Sequence, residues 1–274
     1  MINENLVSVV MSVYNSERTI KMSIESILNQ TYKDIELIII EDGSSDNTPF
    51  ICKEYEKEHE NVFVYPNNKN IGLTKSLNVG IKKSKGKFIA RQDADDFSEL
   101  HRIKTQIEIM TSDNLDAVSS RARVINSKKV IPNYSYYLPL RYLVKIKNPF
   151  IHGTLLIKRN IIDEAGLYNE KFYYSQDYKL MYDLVLRKHK IKIIKEPLYN
   201  LNMTNNISNI NSQEQKYYAD CVKKNIEPKW YWYWGWKLKR VFLNKLDENW
   251  VVDRFRSEWY EYQSELSENN VRDS

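Results

Sequence analysis

Residues 35–49 read IELIIIEDGSSDNTP. Six residues with almost no polar interruption, Ile35–Ile40, are too short for a helix that must bury one face. They suit a strand covered on both sides, as in a parallel sheet. EDGSSD then makes a polar turn. Thr48 is placed to cap a helix, and Pro49 fits its first turn. Helical character continues to about His59.

The same unit repeats outward in both directions. Leu6 to Val13 is another buried strand, and Ile20, Ile24, Ile27 and Leu28 make a helical stripe within 17–30. Val62 to Tyr65 reads as a third strand. Leu73, Leu77 and Ile81 mark a helix over 72–84, and Lys87 to Ala90 is a fourth strand. The expected fold class is therefore α/β, a Rossmann-like, mostly parallel sheet flanked by helices. Right-handed crossovers bring the strand C-termini to one edge, where open α/β sheets bind ligands. Three polar clusters fall on that edge: 12–17, 41–46 and 93–96.

Beyond Phe97 the pattern loosens. Helices are expected over 99–110 and 176–187, with strands in 116–125, at 154–157 and at 191–194. The Asn-rich segment 200–213 reads as a loop, and from Glu214 the chain reads as helical nearly to its end.

Composition narrows the class of protein. A hydrophobic fraction of 42% and a charged fraction of 28% are those of a globular chain. The net charge of +5 permits acidic partners without demanding nucleic acid, and nucleic-acid binding is not expected. Two distant cysteines, Cys52 and Cys221, exclude a disulfide framework or a Cys/His zinc cluster and suit a reducing compartment. The N-terminus has neither a basic region nor a cleavage site, and no apolar run reaches the ~18–20 residues that span a bilayer. The expected location is cytoplasmic, with peripheral attachment to the inner membrane face as an option. A homo-oligomer is left open.

The fourth strand ends in QDADD. Carboxylates this close repel by about 1 kcal/mol per pair in water. A D-x-D pair suits a hard divalent cation whose remaining ligands are water and substrate phosphates. Asp96 could instead serve the N-terminus of the next helix. Asp42 could accept from a base or ribose, or simply close a turn. Asp177 lies at a helix start, where an ionised carboxylate in a cleft is a candidate general base. His152 is a candidate to touch metal or phosphate, although a lone histidine is more often structural. No GxGxxG, P-loop, GxSxG or HExxH pattern is present.

The stretches VSVVMSVYNSERTIKMSIESILNQTY, IELIIIEDGSSDNT, NKNIGLTKSLNVGIKKSKGKFIARQDADD, HGTLLIKR and GLYNEKFYYSQDYKLMYDL occur in the order and spacing of family 2 glycosyltransferases, which the chain resembles over its first 200 residues. The resemblance implies a GT-A fold in residues 1–212, with 1–97 as the nucleotide-sugar half and 98–212 as the acceptor half. Residues 213–274 would form a C-terminal helical region.

The resemblance further implies metal-dependent, inverting transfer of one sugar from a nucleoside-diphosphate sugar, most often a UDP-sugar, to a hydroxyl of a glycan or lipid-linked acceptor. Ser12, Tyr14 and Glu17 would line the nucleotide pocket, with Asp42 at the base. Lys75 and Arg91 would approach the pyrophosphate, and Asp93 the ribose or donor sugar. Asp95 would ligate Mn²⁺ or Mg²⁺, with Asp93 as a second candidate. Asp177 would be the catalytic base, preceded here by Gln176 where the family often has Glu. The QxxRW motif of processive members is missing, so one sugar per encounter is expected.

Two alternatives compete: a nucleotide-sugar-binding subunit without catalysis, and a nucleotidyltransferase, whose Gly-rich basic loop is missing after the first strand. Finally, KWYWYWGWKLKRVFLNKL at 229–246 interleaves aromatic and basic residues. It is a candidate for contact with anionic lipid, or for packing on the catalytic domain or a second subunit.

Overall fold

The computed structural model describes residues 5–203 and 212–229. The helical region expected beyond 229 and its aromatic-basic segment lie outside the described residues.

The N-terminal half follows the alternation in the sequence. Strands β1 (Val7–Val13), β2 (Ile35–Glu41), β3 (Val62–Pro66) and β4 (Phe88–Arg91) are linked by helices α1 (Ile20–Leu28), α2 (Thr48–Glu58) and α3 (Leu73–Lys83). The four strands pair in parallel in the order β3-β2-β1-β4. Successive side chains on a strand point to opposite faces, which explains why both sides of β1 and β2 are apolar. Val9, Met11 and Val13 meet Ile20, Ile24 and Ile27 of α1 on one face. Val10, Ile38 and Ile40 meet Leu77 and Ile81 of α3 on the other.

The second half is mixed. It contains β5 (Phe97–Ser98), α4 (Arg102–Ser112), β6 (Ala117–Val124), β7 (Val130–Ile131), α5 (Leu140–Leu143), β8 (Leu156–Lys158), α6 (Arg159–Glu164), α7 (Gln176–Leu186), β9 (Ile191–Leu201) and α8 (Ser212–Lys224). β8 runs antiparallel to β4 and to β6, so the sheet continues as β4-β8-β6-β9-β5.

Two differences from the sequence expectation concern a helix cap and a strand end. Thr48 is not a side-chain cap: its backbone N–H is received by Asp46 Oδ1 at 3.0 Å, while its hydroxyl accepts from Ser16 N at 2.8 Å. β9 runs seven residues past Ile194 into the segment expected to be a loop. It does so because Leu198 and Tyr199 are buried and the register shifts twice against β6, around the Pro197 that obscured it. This extension carries Tyr199 and Asn200 to the acidic loop, where β9 pairs with β5.

Among the described residues no helix is long and apolar enough to cross a membrane.

Candidate active site

The strand ends of the parallel half define the site. The loops after β1 and β2 are knitted together. Asn15 N donates to Ser44 Oγ at 3.0 Å, Ser45 N to Asn15 Oδ1 at 2.8 Å, Glu17 N to Asp46 Oδ2 at 3.1 Å, and Asn47 N to Glu17 Oε2 at 3.0 Å. Glu17 therefore fastens one loop to the other, and Ser12 is half-buried beneath them. Tyr14 stays 48% exposed. Gly43 has φ +73°, and a Cβ there would lie 2.7 Å from the Lys69 carbonyl carbon, so the turn needs glycine.

Asp42 is 2% exposed. Its Oδ1 accepts from Ile71 N at 2.9 Å and Asn67 Nδ2 at 2.8 Å, and its Oδ2 accepts from Gly72 N at 2.9 Å. The carboxylate thus clamps the loop leading into α3. Lys75 is exposed in the first turn of that helix.

The three acids after β4 turn out to be unlike one another. Asp93 is ion-paired with Arg91. Asp96 is buried, and its Oδ1 accepts from Asn202 N at 2.6 Å. Burial, followed by the charges of Asp93 and Asp95, pushes its carboxyl up to about 8. Asp96 therefore ties the acidic loop to the end of β9 rather than serving the next helix. Asp95 is half-buried and has no side-chain partner among the described residues. Burial and the neighbouring Asp93 raise it to about 6. Beneath the loop, Gln92 Nε2 donates to the carbonyls of Asp93 and Asp96 at 3.1 and 3.0 Å.

Arg91 is placed differently from the expectation of a residue reaching the pyrophosphate. It is 1% exposed. Its guanidinium donates to Val10 O at 2.9 Å, to Gln92 O at 2.6 Å and to His152 Nε2 at 3.3 Å, besides the ion pair with Asp93. It holds Asp93 from below. His152 Nε2 also meets the Tyr168 hydroxyl at 2.9 Å. Burial and the Arg91 charge lower His152 to about 4, while Asp177 and Asp93 oppose that shift. A neutral imidazole here acts as an acceptor within the network.

Asp177 opens α7 behind Ser175, whose φ of +57° turns the chain into the helix. Its Oδ2 accepts from Asn148 Nδ2 at 2.7 Å. Together, Asp93, Arg91, His152 and Asp177 converge from β4, the turn before β8, and α7. Ser12, Tyr14, Glu17, Asp42 and Lys75 are carried by other elements, the ends of β1 and β2 and helix α3.

Sequence reasoning did not reach three contributors. Tyr199 is fully buried, and its oxygen accepts from Asp93 N at 3.0 Å. Arg102 donates to Gly153 O at 2.6 Å and Arg91 O at 2.9 Å. Asn148 is the third. The one available signal was a lone asparagine before Pro149 in a basic segment, and such a residue carries no chemistry by itself.

The donor set fits a hard cation. Among the described residues no group of three or more His, Cys, Asp or Glu side chains could hold a metal unaided. Asp95 offers a half-buried carboxylate that burial and the neighbouring Asp93 disfavour in its charged form, the conflict that a dication would relieve. Magnesium and manganese sites built with substrate phosphates commonly take one or two protein carboxylates.

The sheet, parallel through its fourth strand, mixed beyond it and carrying acids at that strand's end, is that of a GT-A-type transferase. The chain belongs to glycosyl transferase family 2, whose profile matches residues 8–181. It is 31% identical over 244 residues to a protein of Haemophilus influenzae described as an uncharacterized glycosyltransferase, covering 82% of this chain and 74% of that one. It is 29% identical over 193 residues to the Escherichia coli UDP-Glc:alpha-D-GlcNAc-diphosphoundecaprenol beta-1,3-glucosyltransferase WfgD, covering 70% and 74%. In fold it resembles the mannosyltransferase PcManGT of Pyrobaculum calidifontis in complex with GDP-Man and Mn²⁺, with a TM-score of 0.65 at 15% identity. That match covers 82% of this chain and 66% of the solved one. The protein is a glycosyltransferase with the GT-A fold.

Proposed function

We propose that this enzyme moves a single sugar, with inversion, from a UDP-sugar to a hydroxyl on a glycan or lipid-linked oligosaccharide, as in surface polysaccharide assembly. The observation that carries the reading is the convergence of Asp93 and Asp177 on His152 from elements 84 residues apart in the chain. Ser12, Tyr14, Glu17, Asp42 and Lys75 hold or shape the nucleotide end. WfgD, by its name, uses UDP-Glc and a diphosphoundecaprenol-linked acceptor, which supports this choice of donor and acceptor class.

Asp177 takes the acceptor's proton while the acceptor oxygen forms its bond to the anomeric carbon. The bond from that carbon to the nucleoside diphosphate breaks on the opposite face. Asp95, with Asp93 beside it, would hold Mn²⁺ or Mg²⁺, which when bound stabilises charge on the leaving diphosphate. Asp93 is held in place by Arg91 below it and by its own amide bonded to Tyr199. Asp177 is held by Asn148.

Incubating the protein with a panel of nucleotide sugars in Mn²⁺ and scoring hydrolysis identifies the donor. Asp177→Asn is expected to bind that donor normally and lose roughly 10² to 10⁴ in kcat. Transfer at the wild-type rate would remove Asp177 from the mechanism. Asp95→Ala is expected to weaken donor binding in Mn²⁺. Unchanged affinity by calorimetry would remove the metal from Asp95.

A further inference from the structure

Residues 117–162 run 46 positions with nine Lys/Arg and no Asp or Glu, where the chain's 36 acids would place about six. Within this stretch α5 and its flanks form a compact surface. Leu143 and Val144 are the anchors, 2% and 0% exposed, and Tyr178 Oη donates to Val144 O at 2.6 Å. Around them the side chains turn outward. Tyr137, Tyr142 and Ile146 are 69%, 65% and 66% exposed, and Arg141, Lys145 and Lys147 stand exposed between them. Four residues after Val144 comes Asn148, which holds Asp177.

Large apolar side chains left in water beside cations, with no anion in the sequence around them, need a partner that is apolar and negatively charged at once. We propose that the 137–147 surface docks on an anionic phospholipid bilayer, with Tyr137, Tyr142 and Ile146 entering the headgroup boundary and Arg141, Lys145 and Lys147 meeting lipid phosphates. Tyrosine and aliphatic side chains partition into that boundary, and basic residues bind its negative surface. A second copy of this chain is a poorer match. A two-fold contact sets a patch against itself, and here that would oppose like charges. The patch alone carries the lipid inference. That docking brings Asp177 to an acceptor carried on the same membrane rests on the function proposed above.

Flotation of the full chain with vesicles tests this, using phosphatidylcholine alone and phosphatidylcholine with roughly one-third phosphatidylglycerol at about 0.1 M salt. The wild type should bind only the anionic vesicles. Arg141→Gln/Lys145→Gln/Lys147→Gln should bind about a hundredfold more weakly, at about fivefold per cation. Tyr142→Ser/Ile146→Ser should lose binding as well, while both variants keep wild-type circular dichroism and donor hydrolysis in Mn²⁺. The proposal is overturned if the wild type ignores anionic vesicles. It is equally overturned if both variants float like the wild type, as they would were 229–246 the contact, or if Tyr142→Ser/Ile146→Ser abolishes a dimer instead. Vesicle binding that follows the patch in a protein hydrolysing no nucleotide sugar would leave the docking surface standing and remove the proposed function.

Discussion

Asn148 donates its side-chain amide to Oδ2 of Asp177 at 2.7 Å, and its own Oδ1 accepts from Phe150 N at 3.1 Å. One asparagine thus fixes the turn into Pro149 and the orientation of the carboxylate at the start of α7. A hydrogen bond to a charged acceptor is worth about 1.5–3 kcal/mol. If Asp177 must aim one oxygen at the acceptor hydroxyl, Asn148→Ala should lower kcat by roughly 10- to 100-fold while donor KM stays within about twofold. Asn148→Ser, which keeps a short donor, should recover part of the loss. Equal losses in kcat and in thermal stability for both variants would make Asn148 a turn residue alone.

Arg91 is 1% exposed and faces the protein around it. Its guanidinium is spent on Val10 O, Gln92 O, His152 and Asp93. Removing one member of such a pair leaves the other charge unpaired, at about 3 kcal/mol, while the Val10 carbonyl keeps its bond from Gln92 N at 3.2 Å. Arg91→Met should therefore lower Tm by roughly 6–12 °C, at 2–4 °C per kcal/mol for a domain of this size. The decisive variant is Arg91→Lys. A compact ammonium cannot serve the same fan of acceptors, so Tm should fall there too. A lysine variant with wild-type Tm and restored donor affinity would point to direct pyrophosphate contact.

These cases also mark how far the sequence could be read. The β-α-β order of residues 7–91 was legible because each strand is a short continuous apolar run and each helix carries one stripe. The acidic loop was legible for the same reason, as it follows such a run directly. β5 was not, being two residues long, and the end of β9 was hidden by Glu196-Pro197, which reads as a break. The differentiation of Asp93, Asp95 and Asp96 was invisible, since it depends on Arg91 lying below the loop and on Asn202 arriving from β9. Asn148 and Tyr199 act through partners 29 and 106 residues away, and no local pattern encodes that.

The cysteines lead to a pH prediction. Cys52 is fully buried, and burial, with the charges of Glu41 and Asp46, pushes its thiol up to about 12. Burial raises Cys221 as well. Native protein at pH 8 should react with a thiol reagent at neither site, and at both after denaturation. A raised acid holds its proton more tightly when folded, so the unfolded chain loses protons first as pH rises past about 9. Stability should be unaffected by Cys52 below that pH and fall between about 9 and 12, with a slope near 1.4 kcal/mol per unit for this one group. Cys52→Ala should flatten that part of the Tm–pH curve. An unchanged curve would show that the thiol ionises with similar ease in both states.

Gly153 offers the sharpest steric test of the site. A Cβ there would lie 2.2 Å from the Tyr199 hydroxyl oxygen, 2.5 Å from Cζ and 2.8 Å from Asp93 Oδ2. Tyr199 cannot retreat: it is fully buried, and the Arg102 guanidinium lies 5.4 Å from its ring centroid. Overpacking of this kind costs about 1–3 kcal/mol, and the displaced atoms include the Asp93 carboxylate and the hydroxyl bonded to the Asp93 amide. Gly153→Ala should therefore weaken Mn²⁺-dependent donor binding by roughly 10-fold or more and lower Tm by several degrees. Tyr199→Phe removes the hydroxyl that makes the closest clash, and alone should cost about 1 kcal/mol for its lost hydrogen bond. Residues in contact do not add independently, so Gly153→Ala/Tyr199→Phe should be better than the sum of its parts. Strict additivity of the two in donor affinity would mean that the glycine and the tyrosine do not jointly set the position of Asp93.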